Sequence, residues 1–135
     1  MTRIYIALGV LASLCSGLQA QTRNLSAKIP FDFQIGSVHM PAGDYRLEYA
    51  PSANVLWLHE SKTRTSAAVM TVPVSQKSVS EDAVITFNRY GDEYFFAGVW
   101  GPQATRGSIV PKSPREKELA SGLLRPEPTV VALRK

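Results

Sequence analysis

The feature that most restricts this chain is a strict alternation of apolar and polar residues. In Leu25-Ser26-Ala27-Lys28-Ile29-Pro30-Phe31-Asp32-Phe33 every odd position is apolar, and every even position is polar or proline. Successive side chains of a β-strand point to opposite faces, so this period of two gathers the apolar groups on one side. A helix would need a period near 3.6. The segment therefore reads as a half-buried strand. Pro30 offers no N–H to a ladder, which places this strand at a sheet edge or bends it there.

The same period recurs downstream. Tyr45, Leu47 and Tyr49 alternate with Arg46 and Glu48, after a Pro41-Ala42-Gly43-Asp44 turn. Proline at the second turn position followed by glycine suits a hairpin with a bulge at Gly43. The segment 55–59 sets Trp57 on one face and Leu56 and Leu58 on the other. Residues 67–72 form a further strand ended by Pro73, and 75–81 is a polar loop. The clearest hairpin joins 83–90 to 93–100 through Gly91-Asp92, where glycine in the first position suits a type II′ turn. That register pairs Phe87 with Phe96 and Arg89 with Tyr94. It collects Ile85, Phe87, Phe96 and Trp100 on one face and Val84, Phe95, Ala97 and Val99 on the other. The second strand is apolar on both sides, so it belongs in the centre of a sandwich or closed barrel.

A short strand at 107–110 precedes Ser113-Pro114-Arg115-Glu116. Serine as cap, proline at the first helical position and glutamate three residues after the cap mark a helix start. The helix runs to Ser121 and stops at Gly122. The fold class is thus all-β: a single antiparallel β-sandwich or small barrel of seven or eight strands with a short C-terminal helix. The domain spans 21–122, and 123–135 is an extended basic tail or a last strand.

The N-terminus has a different character. Arg3 precedes an uncharged apolar run from Ile4 to Leu14, followed by Ser16-Gly17-Leu18-Gln19-Ala20. Basic, apolar and small-residue regions in this order read as a secretory signal peptide cleaved after Ala20. The run is too short to span a bilayer as a helix, so no transmembrane span is expected after cleavage. The only cysteine, Cys15, lies inside the apolar run and follows Leu14 rather than the small residue that a lipoprotein signal requires. Removing residues 1–20 from 135 leaves a cysteine-free chain of 115 residues. That is enough for one domain without disulfide staples. The expected location is the periplasm or the extracellular space.

Several blocks, in order, resemble a family of small exported proteins abundant in acidobacteria. They are Ile29-Pro30-Phe31-Asp32-Phe33, Gly36, Pro41-Ala42-Gly43-Asp44-Tyr45, Phe87-Asn88-Arg89-Tyr90-Gly91-Asp92-Glu93-Tyr94-Phe95, Val99-Trp100 and Ser113 to Leu119. The resemblance implies an exported β domain. It brings no activity, cofactor or catalytic residue with it.

The residues point to no catalytic site, metal or cofactor. His39 and His59 lie twenty residues apart in different strands with no paired ligand spacing, whereas zinc chemistry needs three converging ligands. Glu81-Asp82 and Asp92-Glu93 lack a calcium-loop framework. No Gly-x-Ser-x-Gly elbow or phosphate loop occurs. Asp32, Glu48 and Glu60 alternate with apolar neighbours and are expected to face solvent, not a glycosidase cleft. Residues 21–111 hold eight basic and eight acidic side chains, which gives no nucleic-acid footprint, and the charge excess sits in 112–135. Tyr45, Tyr49, Trp57, Tyr90 and Tyr94 suit an aromatic ligand surface, but the favoured reading makes Trp57 and Trp100 core anchors, since a small domain needs such large apolar side chains. The leading expectation is a non-enzymatic binding or scaffold module of the cell envelope, with an envelope protein or glycan as partner. A small-ligand carrier with an internal cavity and a hydrolase with a loop-built site are the alternatives. Nothing in the sequence fixes the oligomeric state.

Overall fold

The computed structural model describes residues 23–50, 53–75, 82–101, 106–122 and 124–134. The expected signal peptide with Cys15, most of the expected 75–81 loop, and Glu81 lie outside them. The elements are β1 (Arg23–Ile29), β2 (Phe33–Ile35), β3 (Val38–Met40), β4 (Gly43–Ala50), β5 (Val55–Glu60), β6 (Ser66–Met70), β7 (Val72–Ser75), β8 (Val84–Tyr90), β9 (Glu93–Trp100), β10 (Arg106–Ile109), α1 (Pro114–Ala120) and β11 (Glu127–Ala132). They form an all-β sandwich with one short helix near the C-terminus. A four-stranded sheet, β1-β4-β5-β6, packs on a seven-stranded sheet ordered β11-β8-β9-β10-β7, with the β2–β3 hairpin attached to β9.

Alternation builds the core. Ala27 and Ile29 of β1, Tyr45 and Leu47 of β4, and Leu56 and Leu58 of β5 all point inward. They meet Phe33, Ile35 and Met40 of the hairpin and Ile85, Phe87, Phe96 and Val99 of the larger sheet. Phe33 is the hub: its ring lies 5.3 Å from both Tyr45 and Phe87, edge to face. Each fully buried large apolar side chain contributes about 1.5–3 kcal/mol over its exposed state. No disulfide takes part among the described residues.

The chain changes sheets at two corners. The first is at Pro30. β1 is an edge strand of the four-stranded sheet and ends at Ile29, and the chain then crosses to the other sheet. The continuous strand expected through Phe33 is therefore two strands. β2 meets β9 in parallel at Gln34 and Phe95, an exception to the antiparallel rule of the remaining pairs. The second corner is Thr71, which splits the expected 67–72 strand into β6 and β7 on different sheets. Pro73 lies inside β7, opposite Ser108, rather than ending a strand. An edge strand tolerates it. These splits, together with the β2–β3 hairpin at Gly36 (φ 57°), give eleven strands among the described residues. The tail supplies the last strand: β11 pairs with β8 along its whole length.

The β8–β9 hairpin has the expected register from Tyr90–Glu93 to Phe87–Phe96. Gly91 takes φ 62° in the turn. Beyond Phe87 the register shifts, so that Thr86 faces Gly98 and Ala97 has no opposite residue. This β-bulge turns the rest of β9 over. Val99 joins Ile85 in the core, and Trp100 moves to the opposite face with Val84. The expected placement of these two residues is thus reversed. Trp100 lies across Gly107, where a Cβ would fall 2.3 Å from the indole. Neither Trp100 nor Trp57 is a buried core anchor; both are half-buried.

β9 is buried on both sides. Phe96 faces the core, and Phe95 packs with Tyr90 beneath α1. Ser113 caps α1 by accepting from the Glu116 N–H at 3.2 Å. Glu116 does not fold back onto the cap. It is 3% exposed, and its Oε1 accepts from Asn88 Nδ2 at 3.0 Å and from the Tyr90 hydroxyl at 3.3 Å. Arg115 adds contacts at 3.3 Å to Glu93 and Glu118. A helix of seven residues is too short to persist by itself, and these contacts hold it on the sheet.

Candidate binding face

The larger sheet has α1 on its outer side. The outer side of the four-stranded sheet has no element over it among the described residues. Its composition follows from register. Four cross-strand rows of outward side chains can be read from the pairings, each strand about 4.8 Å from the next. At one end Ala50, Val55 and Met70 form an apolar row. Asn24, Glu48, Trp57 and Ala68 form the second. Arg134, Ser26, Arg46, His59 and Ser66 form the third. Lys28 and Asp44 form the fourth. The face thus grades from apolar to charged, and Trp57 stands at the boundary. Met70 is 73% exposed. Glu48, opposite Trp57, is held between Arg46 at 3.1 Å and His59 at 3.8 Å.

At the charged end the face deepens into a cleft of about 580 Å³ where β1 and β4 meet the C-terminal segment. Ser26, Lys28, Asp44, Arg46, Ser61 and Arg134 contribute to its walls. Arg134 arrives from the far end of the chain. Its N–H and C=O exchange 2.8 Å hydrogen bonds with those of Ser26, which locks β1 to the segment after β11. Ala27, Tyr45, Val131 and Ala132 complete the lining of the cleft, so its floor reaches residues of the core. No histidine stands beside its serines. Among the described residues no three His, Cys, Asp or Glu side chains gather as metal ligands. His39 lies 3.9 Å from Asp32, away from His59. No described helix is long and apolar enough to cross a membrane.

The five aromatic residues expected to share a surface do not do so. Tyr45 and Tyr90 are each 1% exposed. The Tyr45 hydroxyl donates to the Pro41 carbonyl. Burial first, then the charges of Glu60 and Asp32, push its pKa up to about 12. Burial and the neighbouring Glu116 likewise raise Tyr90. Tyr49 points inward beside Leu47, and its hydroxyl accepts from Ser108 Oγ. Tyr94 stacks on Phe31 at 3.8 Å, with the Arg89 guanidinium 5.5 Å from its ring centre. Only Trp57 of the five stands on the uncovered face. The physical reason is parity: Tyr45 and Tyr49 are odd positions of β4, while Trp57 opposes Glu48, an even one.

Glu60 also departs from expectation. It is 3% exposed at the end of β5 instead of facing solvent. Its carboxylate accepts from the Thr63 N–H and hydroxyl and from the Lys62 N–H, and these bonds hold its pKa below the ordinary value. Asp32 and Glu48 do reach the surface, with side-chain exposures of 63% and 30%.

The cleft was not anticipated. Ser26, Lys28, Asp44 and Arg46 are legible as the polar positions of two alternating strands. That Arg134 stands beside them, 108 residues from Ser26, has no local signal. Comparison with family models, with curated proteins and with solved structures finds no match for this chain.

Proposed function

We propose that this protein is an exported, non-enzymatic binding module that holds a glycan of the cell envelope on the outer face of its four-stranded sheet. Export rests on the order of basic, apolar and small residues in 1–20. The observation that carries the binding reading is Trp57. It is a half-buried indole on an otherwise uncovered face, with Glu48 directly opposite, Arg46 on the diagonal, His59 two residues along its own strand and Asn24 beyond Glu48 in the same row. A sugar ring offers an apolar C–H face to an indole and hydroxyls to such polar neighbours. Tryptophan suits a surface where one side is apolar and the other wet. Diagonal neighbours on a sheet lie about 7–8 Å apart, within reach of one bound ring and its substituents.

Sedimentation with the polysaccharide fraction of the envelope tests this reading. The wild-type protein is expected to co-sediment. Trp57→Ala is expected to lose at least about tenfold in affinity, the scale of a lost hot-spot aromatic. Its circular dichroism should be unchanged, because the side chain lies outside the core. Equal retention of both proteins would remove Trp57 from the site and the reading with it.

A further inference from the structure

The cleft at the β1–β4 seam adds a second element to the same face. We infer that it is a subsite for a negatively charged sugar, so that the ligand is an acidic glycan carrying carboxylates. This deepens the glycan reading and rests on it.

Charge is the first support. Among the described cleft residues Lys28, Arg46 and Arg134 are cationic and Asp44 is the anion. Arg46 is already matched by Glu48 at 3.1 Å. Lys28 and Arg134 enter none of the ion pairs among the described residues. Two cations thus remain for a ligand. A guanidinium is a planar fork that suits a carboxylate, and an ammonium adds a compact point charge.

Shape is the second support. The volume falls within the range of about 300–1,000 Å³ that small-molecule sites occupy. Ser26 and Ser61 line the cleft beside the cations, and the Ser26 hydroxyl, which donates to the Arg134 carbonyl at 3.4 Å, can still accept from a sugar hydroxyl. The third support is the backbone. Ser26 exchanges both its main-chain hydrogen bonds with Arg134, so this part of β1 has no free ladder for an added peptide strand. An acidic peptide would therefore bind by side chains alone. A saccharide needs no ladder. From the cleft, the row through Arg46 leads diagonally to Trp57, which gives a chain of sugars a platform beyond the charged subsite.

Isothermal titration of the purified protein tests the inference. The probes are oligogalacturonate, its methyl-esterified form and vesicles containing phosphatidylglycerol. Oligogalacturonate should bind, with an affinity that falls as salt is raised. The Lys28→Ala/Arg134→Ala double variant should weaken it by on the order of tenfold or more, one decade in Kd. Both side chains are exposed, and the alanine variant keeps the Arg134 backbone in the seam. The ester should bind more weakly and be indifferent to the double variant. Trp57→Ala should weaken both glycans. If acid and ester bind equally, with dependence on Trp57 and none on Lys28 or Arg134, the charged subsite is wrong and the glycan face stands. If neither glycan binds, both readings fall, and vesicle binding in that case would assign the cations to a lipid surface.

Discussion

Two residues show how single side chains set the shape of this domain. Gly43 opens β4 after the Pro-Ala turn, where the sequence predicts a bulged hairpin, but β3 pairs with β2, and β4 with β1 and β5. The φ of Gly43 is not positive. The requirement is space: a Cβ there would lie 2.6 Å from Glu60 Oε1. That oxygen belongs to a carboxylate fixed by Lys62 and Thr63, so it has little room to yield. Gly43→Ala should cost about 1–3 kcal/mol, the usual range for overpacking, measurable by urea denaturation. Tyr45 gives a pH signature. Its folded pKa of about 12 exceeds the ordinary 10, so the unfolded chain loses this proton first. Stability should fall as pH rises from 10 towards 12, because the folded state then binds more protons than the unfolded. Tyr45→Phe should shed part of that decline while costing about 1 kcal/mol at neutral pH for the lost hydrogen bond. Denaturant titrations at pH 7, 10 and 11.5 would check both. Glu60 acts in the opposite sense. Its lowered pKa adds stability that is complete above the ordinary carboxylate range and is lost as pH falls through the folded value.

At the scale of elements, the Gly91-Asp92 turn and the Ser113 cap carry local signals, and the discontinuities between strands carry none. The register of β8 and β9 from the turn to Phe87 follows from Gly91-Asp92, because a two-residue loop fixes which residues oppose each other. The bulge at Ala97 has no comparable mark, and one unpaired residue was enough to exchange the faces of Val99 and Trp100. The corner at Thr71 is silent for the same reason: both β6 and β7 are extended, and only tertiary pairing separates them. The helix is the converse case. Serine, proline and glutamate at 113, 114 and 116 define its start, and the structure places the cap where the spacing does. Glu116 was expected to close a capping box and instead binds Asn88 and Tyr90, since a buried tyrosine hydroxyl needs a partner. Ser113→Ala should cost about 1 kcal/mol. Hydrogen exchange should show the loss mainly as weaker protection at the amide of Glu116, with the β8–β9 ladder little changed.

At the scale of the whole molecule, the two sheets meet at both sides. β6 runs on into β7 on one side, and Ser26 and Arg134 are bonded on the other. The domain is a sandwich whose two sheets are joined along both edges among the described residues. Residues 127–134 are part of it. Leu133 is 8% exposed in the core, and its N–H donates to Ala83 at 2.9 Å. Leu133→Ala should cost about 2–5 kcal/mol. Truncation after Gly122 should cost at least as much, and it would leave β8 as an open edge prone to association. Urea unfolding and light scattering would report the two effects. The candidate face is legible in the sequence only in halves. Alternation gives the outward residues of β1, β4 and β5, but rows such as Arg134-Ser26-Arg46-His59 exist only once strands distant in sequence are paired. The Ser26–Arg134 junction also orders events in time. β1 precedes every other described strand in the chain, yet its outer edge is bonded by Arg134, which follows them all. A long-range closure of this kind is slow, so a folding chain keeps an unsealed β1 edge until residues 108 positions apart meet, and the cleft that they wall forms no earlier than that contact.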